Sequence, residues 1–188
     1  MSRFEIRIAG MGGQGIVMAG VMIGRAASIF GGKQVTLAQS YGPESRGGAC
    51  KTEVIVSDER IDYPKIRNPS LIAIMSQEAY RKNLTDLNKD VIVLIDPDMV
   101  QEDISSRDAK IVRVPATHIA EGLGKKIVAN MVMVGAIVAL TELVDRAAIE
   151  KAISKYTPKG TDKLNLEAFK RGYDHARQQL QEQAIAAK

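Results

Sequence analysis

A single cysteine, Cys50, stands among the 188 residues. One thiol excludes an internal disulfide. It also excludes an iron–sulfur cluster held by this chain alone, since such clusters take several thiolates. Histidine is nearly as scarce. His118 and His175 are far apart in sequence, and neither has a histidine three or four positions away, so no paired metal ligand arises from them. Aromatic residues make up 4% of the chain, and no dense Lys/Arg run carries interleaved aromatics, which speaks against a nucleic-acid binder. No apolar run reaches the roughly 18–20 residues that a bilayer span requires. The longest, residues 127–140, is interrupted by Asn130. It reads as a buried helix with a share in a subunit interface or in self-association as a homodimer. The start, Met1-Ser2-Arg3-Phe4-Glu5, carries an acid and no apolar stretch, unlike a secretory leader. These absences lead to the expectation of a cytoplasmic chain without membrane, nucleic-acid or metal-binding function.

What is present is ordinary for a globular protein: 45% hydrophobic and 26% charged residues, with a net charge of +4. The length suits one domain over residues 1–188, large enough to bury a core without staples. Residues 4–9 alternate like a strand. Ile16, Gly20, Ile23, Ala27 and Phe30 then recur at helical spacing, with Gly31-Gly32 as a stop. Residues 34–40 and 51–57 read as strands joined by a polar, glycine-containing loop, and such neighbours can be antiparallel. Residues 70–76 and 91–96 are continuous apolar runs suited to strands covered on both faces, with a helix over 78–87 between them. Residues 110–114 form a last strand, and helices follow over 129–143, 146–155 and 164–181. In the last of these, Leu166, Phe169, Tyr173, Ala176 and Leu180 form one stripe. The alternation predicts an α/β fold, Rossmann-like and doubly wound. Its sheet would be mostly parallel, and mixed if the second and third strands are antiparallel, with helices on both faces.

Between the first strand and the first helix lies Gly10-Met11-Gly12-Gly13-Gln14-Gly15, which contains the G-x-G-x-x-G spacing. In that context the glycines allow a tight turn and a close approach of backbone N–H groups to an anion, and the helix N-terminus adds partial positive charge. A purely structural strand-to-helix turn is the bland alternative. A nicotinamide dinucleotide would call for an acid at the end of the second strand. That strand ends Ala38-Gln39-Ser40, with no acid before Glu44, which weakens the reading of a stand-alone nucleotide-binding module.

A second loop, Tyr41-Gly42-Pro43-Glu44-Ser45-Arg46-Gly47-Gly48, gathers an arginine, a serine and three glycines beyond a strand. Arg46 offers a planar fork of donors to a phosphate or carboxylate, and Gly47 and Gly48 let backbone amides converge. A surface loop with a solvated arginine is the alternative. Elsewhere, Asp96 and Asp98 flank Pro97 at a strand end and read as turn-forming or helix-capping residues. Asn130 reads as a helix cap or as a buried interface or ligand contact. Cys50 reads as a small buried hydrophobe rather than a nucleophile.

With both loops in hand, the chain resembles the gamma subunits, or gamma domain, of 2-oxoacid:ferredoxin oxidoreductases. The resemblance is carried by Gly10 to Gly15 and by Ser40 to Gly48. Further matches are Val56-Ser57-Asp58 with Ile61 and Pro64, Asn130-Met131-Val132-Met133-Val134-Gly135, and the segment from Asn165 to Tyr173. The Tyr-Gly-Pro-Glu-Ser-Arg-Gly-Gly loop is most like that of the 2-oxoglutarate type.

The resemblance implies an oxidoreductase that converts a 2-oxoacid and coenzyme A to an acyl-CoA and carbon dioxide and passes two electrons to ferredoxin. It implies alpha, beta and delta-type partner subunits, which carry thiamine diphosphate, Mg²⁺ and iron–sulfur clusters, with ferredoxin met through the complex. No catalytic residue is expected on this chain, and the isolated chain is expected to be inactive. Its own ligand would be coenzyme A, held through phosphate. The expected cradle is the backbone of Gly10, Gly12, Gly13, Gly15, Gly47 and Gly48, with hydrogen bonds from Gln14 and Ser45 and the charge of Arg46.

Overall fold

The structure, a computed structural model, describes residues 3–42, 47–84, 90–101 and 109–186. Strand β1 (Phe4–Met11) leads through the glycine loop into helix α1 (Ile16–Arg25), which continues as a π-helical turn over Ala26–Phe30. Strands β2 (Gln34–Tyr41), β3 (Ala49–Ser57) and β4 (Leu71–Ile74) follow, then helix α2 (Gln77–Asn83) and strands β5 (Ile92–Ile95) and β6 (Lys110–Arg113). Helices α3 (Ala116–Gly122), α4 (Ala129–Thr141), α5 (Arg146–Tyr156) and α6 (Asp162–Ala186) close the chain, with a 3₁₀ turn over Lys126–Val128 before α4. Every strand expected from the sequence is present. Helix α3, seven residues long, had no signal strong enough to predict it.

Among the described residues, the strands form one six-stranded sheet in the order β2-β3-β1-β4-β5-β6. β1, β4, β5 and β6 are parallel, whereas β3 is antiparallel to both β1 and β2. The mixed sheet follows from the short β2–β3 connection, because a parallel neighbour would need a crossover of a dozen residues or more. Side chains on β1 and β4 divide by parity, as the period of two requires. Ile6, Ile8, Leu71 and Ala73 enter the larger core with α1, α4, α5 and α6, while Ala9, Ile72 and Ile74 enter a smaller one with Ala79 and Tyr80 of α2. Helices therefore lie on both faces. On the α2 side, Arg7 of β1 meets Glu53 of β3 directly across the ladder and donates to it at 2.8 Å. An ion pair there, rather than apolar side chains, marks the antiparallel part of that face as polar.

Helix α4 is buried from Ala129 through Ala139. Part of its burial comes from a glycine-on-backbone crossing with α6. A Cβ on Gly172 would fall onto the carbonyl of Val132, and one on Gly135 onto the carbonyl of Phe169. From Ala129 to Ala139 the apolar run is thus consumed inside its own chain, while Ile127, ahead of the helix, is exposed. The expectation that this helix would serve self-association is corrected on that ground, since it keeps no apolar face for a second copy. No helix among the described residues is long and apolar enough to cross a membrane.

Candidate functional site

The β2–β3 hairpin turns at the carboxyl end of β2, beside the carboxyl end of β1. Met11 lies opposite Ala49, Gly10 opposite Cys50, and Tyr41 opposite Cys50 on the other side. The antiparallel ladder therefore delivers the second loop to the first. The Gly12 N–H donates to the Gly48 carbonyl at 2.8 Å, and the Gly47 nitrogen sits 3.4 Å from where a Cβ on Gly12 would be. Gly42 N–H donates to the Ala49 carbonyl at 2.6 Å and closes the loop's base. Residues 43–46, and with them Ser45 and Arg46, lie outside the described residues.

The glycine loop owes its shape to three devices. Gly13 has φ 95° and Gly15 has φ 74°, left-handed conformations that favour glycine. Gln14 folds back, accepting from the Met11 N–H at 2.7 Å and donating to the Met75 carbonyl at 2.7 Å. Asn130, in the first turn of α4, donates to the Gly15 carbonyl at 3.1 Å, and a Cβ at Gly15 would collide with it. The structure thereby reassigns several expected ligand contacts. The Gly12 N–H is spent on Gly48, and the Gln14 amide braces the loop against the end of β4. Gly10 lies within β1, where any side chain would strike Gln14 and Ile16. What remains for an anion is the backbone of Gly13 and Gly15 and the start of α1. That helix has no acid in its first turn and no side-chain cap, and its first N–H groups have no partner within the helix.

A cavity of about 230 Å³ opens beside the two loops, lined by Gly10, Ser40, Tyr41, Cys50, Lys51 and Asn83 among others. Lys51 and Lys82 bring positive charge to it. Each also has a carboxylate nearby, Lys51 with Glu53 at 3.6 Å and Lys82 with Glu78 at 2.5 Å. Neither lysine nor Asn83 stood out in the sequence. Lys51 alternates innocuously within a strand and Lys82 sits in a short polar helix, and only the sheet register places them at one end. Cys50 is buried at the cavity wall, and burial pushes its thiol above the ordinary value, which favours the protonated form.

Asp96 and Asp98 take the capping role expected of them. Asp96 accepts from the Asp98 N–H at 3.1 Å, the Thr117 N–H at 3.0 Å and the Thr117 hydroxyl at 2.7 Å. Asp98 accepts from the His118 N–H at 2.9 Å. The two carboxylates thus satisfy the amino end of α3 from the end of β5. Burial raises the Asp96 pKa, and the Thr117 hydrogen bond partly opposes the rise. Asn130, by contrast, is no helix cap, since Val128 holds that position. Among the described residues, no group of three or more histidine, cysteine or acidic side chains is placed to hold a metal ion.

The pattern of the pyruvate ferredoxin/flavodoxin oxidoreductase family matches residues 5–175. The chain belongs to this family. It is 47% identical over 178 residues to the 2-oxoglutarate synthase subunit KorC of Methanocaldococcus jannaschii, covering 94% of this chain and 95% of that one. The crystal structure of the gamma subunit of a keto/oxoacid ferredoxin oxidoreductase from Geobacter sulfurreducens superposes with a TM-score of 0.81 at 40% identity, over 92% of this chain and 98% of that one. A 2-oxoglutarate:ferredoxin oxidoreductase from Magnetococcus marinus, solved with 2-oxoglutarate, coenzyme A and succinyl-CoA bound, shares the fold at a TM-score of 0.86 and 23% identity. There the match covers 94% of this chain and 31% of that longer one. Within the family this chain is a gamma-type subunit of a 2-oxoacid:ferredoxin oxidoreductase, most like the 2-oxoglutarate synthase subunits.

Proposed function

We propose that the chain serves a thiamine-diphosphate-dependent enzyme that converts 2-oxoglutarate and coenzyme A to succinyl-CoA and carbon dioxide, with two electrons passing to ferredoxin. The choice of 2-oxoglutarate is supported by the 47% identity to a 2-oxoglutarate synthase subunit. Thiamine diphosphate with Mg²⁺ and the iron–sulfur clusters belong to alpha, beta and delta-type partners in this reading. One buried cysteine cannot supply a cluster's ligands.

This chain's own share is to hold the phosphate end of coenzyme A and to help assemble the complex. The observation that carries the reading is the meeting of the two glycine-rich loops, tied by the Gly12–Gly48 hydrogen bond, at the carboxyl end of β1. Open α/β sheets take their ligands at that end. Gly13, Gly15 and the start of α1 would supply backbone donors, and Lys51, Lys82 and Arg46 would supply charge. Gly47 and Gly48 close against Gly12 beside that site, and the Ser45 hydroxyl would add a hydrogen bond.

Against the reading of a stand-alone dinucleotide module stands the sheet order. In a dinucleotide fold the second strand lies beside the first and presents an acid to the ribose. Here β3 intervenes, antiparallel, and β2 is the outer strand.

The test is steady-state kinetics of the assembled enzyme. Arg46→Ala and Lys51→Gln are each expected to raise the apparent KM for coenzyme A about tenfold, as lost charge-assisted contacts do, with the KM for 2-oxoglutarate unchanged. Variants that leave the coenzyme A KM at its wild-type value would sink the proposal.

A further inference from the structure

Helices α5 and α6, with the π-helical turn after α1, leave an open groove of about 810 Å³ between them. Its floor is apolar, with Phe30, Ala147 and Leu166, and its walls carry Lys151, Lys155, Lys163 and Lys170. All four lysines are exposed. Lys151 and Lys155 are one turn apart on α5, and Lys163 and Lys170 are two turns apart on α6. Each helix thus lines its side with ammonium groups on one stripe.

The groove also contains Glu150 and Glu167, but both carboxylates are engaged by arginines of their own helices. Arg146 donates to Glu150 at 2.8 Å, and Arg171 donates to Glu167 at 2.7 Å. Among the described residues no carboxylate pairs with any of the four lysines, and Lys155 only approaches the ring of Tyr156, at 5.5 Å. Neutralising the glutamates in this way leaves the groove with a local excess of positive charge.

We propose that this groove seats a carboxylate-rich segment of another chain in the oxidoreductase complex. The inference rests on the assignment of this chain as a subunit. It concerns a surface separate from the coenzyme A site, whose lining residues it does not share. Carboxylate is the matching chemistry, rather than nucleic-acid phosphate. The arginines of this face, whose forks suit phosphate, are already bound to glutamates. The remaining lysines are point charges around an apolar floor, and a protein segment can meet both the floor and the charges.

The experiment compares the isolated chain with the complex assembled from its own subunits. Lysines are acetylated with an N-hydroxysuccinimide ester and mapped by mass spectrometry. In parallel, a carbodiimide joins lysines to carboxylates at zero length. We expect Lys151, Lys155, Lys163 and Lys170 to lose most of their reactivity on assembly, and at least one to be joined to an aspartate or glutamate of another chain. The double variant Lys155→Glu/Lys170→Glu is expected to leave the complex at about half the salt concentration that the wild type needs, because rim charges act through screened attraction. Lys155→Arg/Lys170→Arg retains wild-type behaviour. These residues are exposed, so thermal unfolding of the isolated variants serves to verify an intact fold. Equal acetylation in both states overturns the groove proposal, as does protection without any link to a carboxylate. A wild-type chain that joins no complex overturns the subunit assignment and the groove together, which separates the two failures.

Discussion

Asp96 is a buried carboxylate whose surroundings displace it from the ordinary value. Its carboxylate is fully buried and accepts three hydrogen bonds, two of them from Thr117. Desolvation prevails over those bonds and raises its pKa above the ordinary 3.8. The native state therefore holds this proton more tightly than the unfolded chain does. The resulting stability is present below pH 3.8 and is lost as pH rises through the raised native value. Carboxyl-carbon NMR should find Asp96 titrating above the other aspartates. Thr117→Val removes a bond that favours the charged form, so it should move the titration higher still. A downward or absent shift on that substitution would mean that the Thr117 bond does not oppose the rise, and an Asp96 titrating with the other aspartates would mean that burial does not prevail. At this same scale the sequence was only partly legible. The capping role of Asp96 and Asp98 could be read from their place at a strand end. The roles of Gln14 and Asn130 could not, because their partners are Met75, 61 residues away, and Gly15, 115 residues away. Local spacing carries no information about partners that distant.

At the scale of elements, the α4–α6 crossing sets how tightly the larger core closes. Gly172 and Gly135 face backbone atoms of the opposite helix, so a side chain at either has no flexible neighbour to displace. Gly172→Ala should therefore cost about 3 kcal/mol or more, at the upper end for overpacking. That corresponds to a fall in Tm of about 6–12 °C for a domain of this size. Gly13→Ala is the internal control. A Cβ there meets nothing within 4 Å, and only the positive φ of 95° opposes it, so about 1–2 kcal/mol is expected. Thermal unfolding of the two variants gives the comparison, and equal losses would refute close helix contact as the origin. The strands and long helices were legible because each carries its period in ten or so neighbouring residues. Helix α3 was not, since its amino end depends on carboxylates from the end of β5. The glycines of the α4–α6 crossing were equally opaque, for a glycine within a helix pattern signals weakness until the opposing backbone is seen.

At the scale of the whole molecule, the chain is a gamma-type subunit of a multi-subunit 2-oxoacid:ferredoxin oxidoreductase. Expressed with a tag in its own cells, it should bring down partner chains containing iron, acid-labile sulfide and thiamine diphosphate. Those three analyses, together with the peptide masses of the co-purified chains, check the assembly directly. A tagged chain recovered alone and free of all three would contradict it.

The amino-acid sequence by itself determined the α/β class, the glycine-rich turn between β1 and α1, the scarcity of metal ligands and the family. All of these rest on residue type and short-range spacing. Tertiary structure alone decided which glycine amides remain available to an anion and how the two loops meet. It also decided that Lys51 and Lys82 share a cavity and that the apolar run of α4 is spent within its own chain. The physical reason is the antiparallel placement of β3 between β1 and β2. That register brings residues some 40 positions apart to one end of the sheet, and hydrogen bonding then turns some of their polar groups inward and leaves others open.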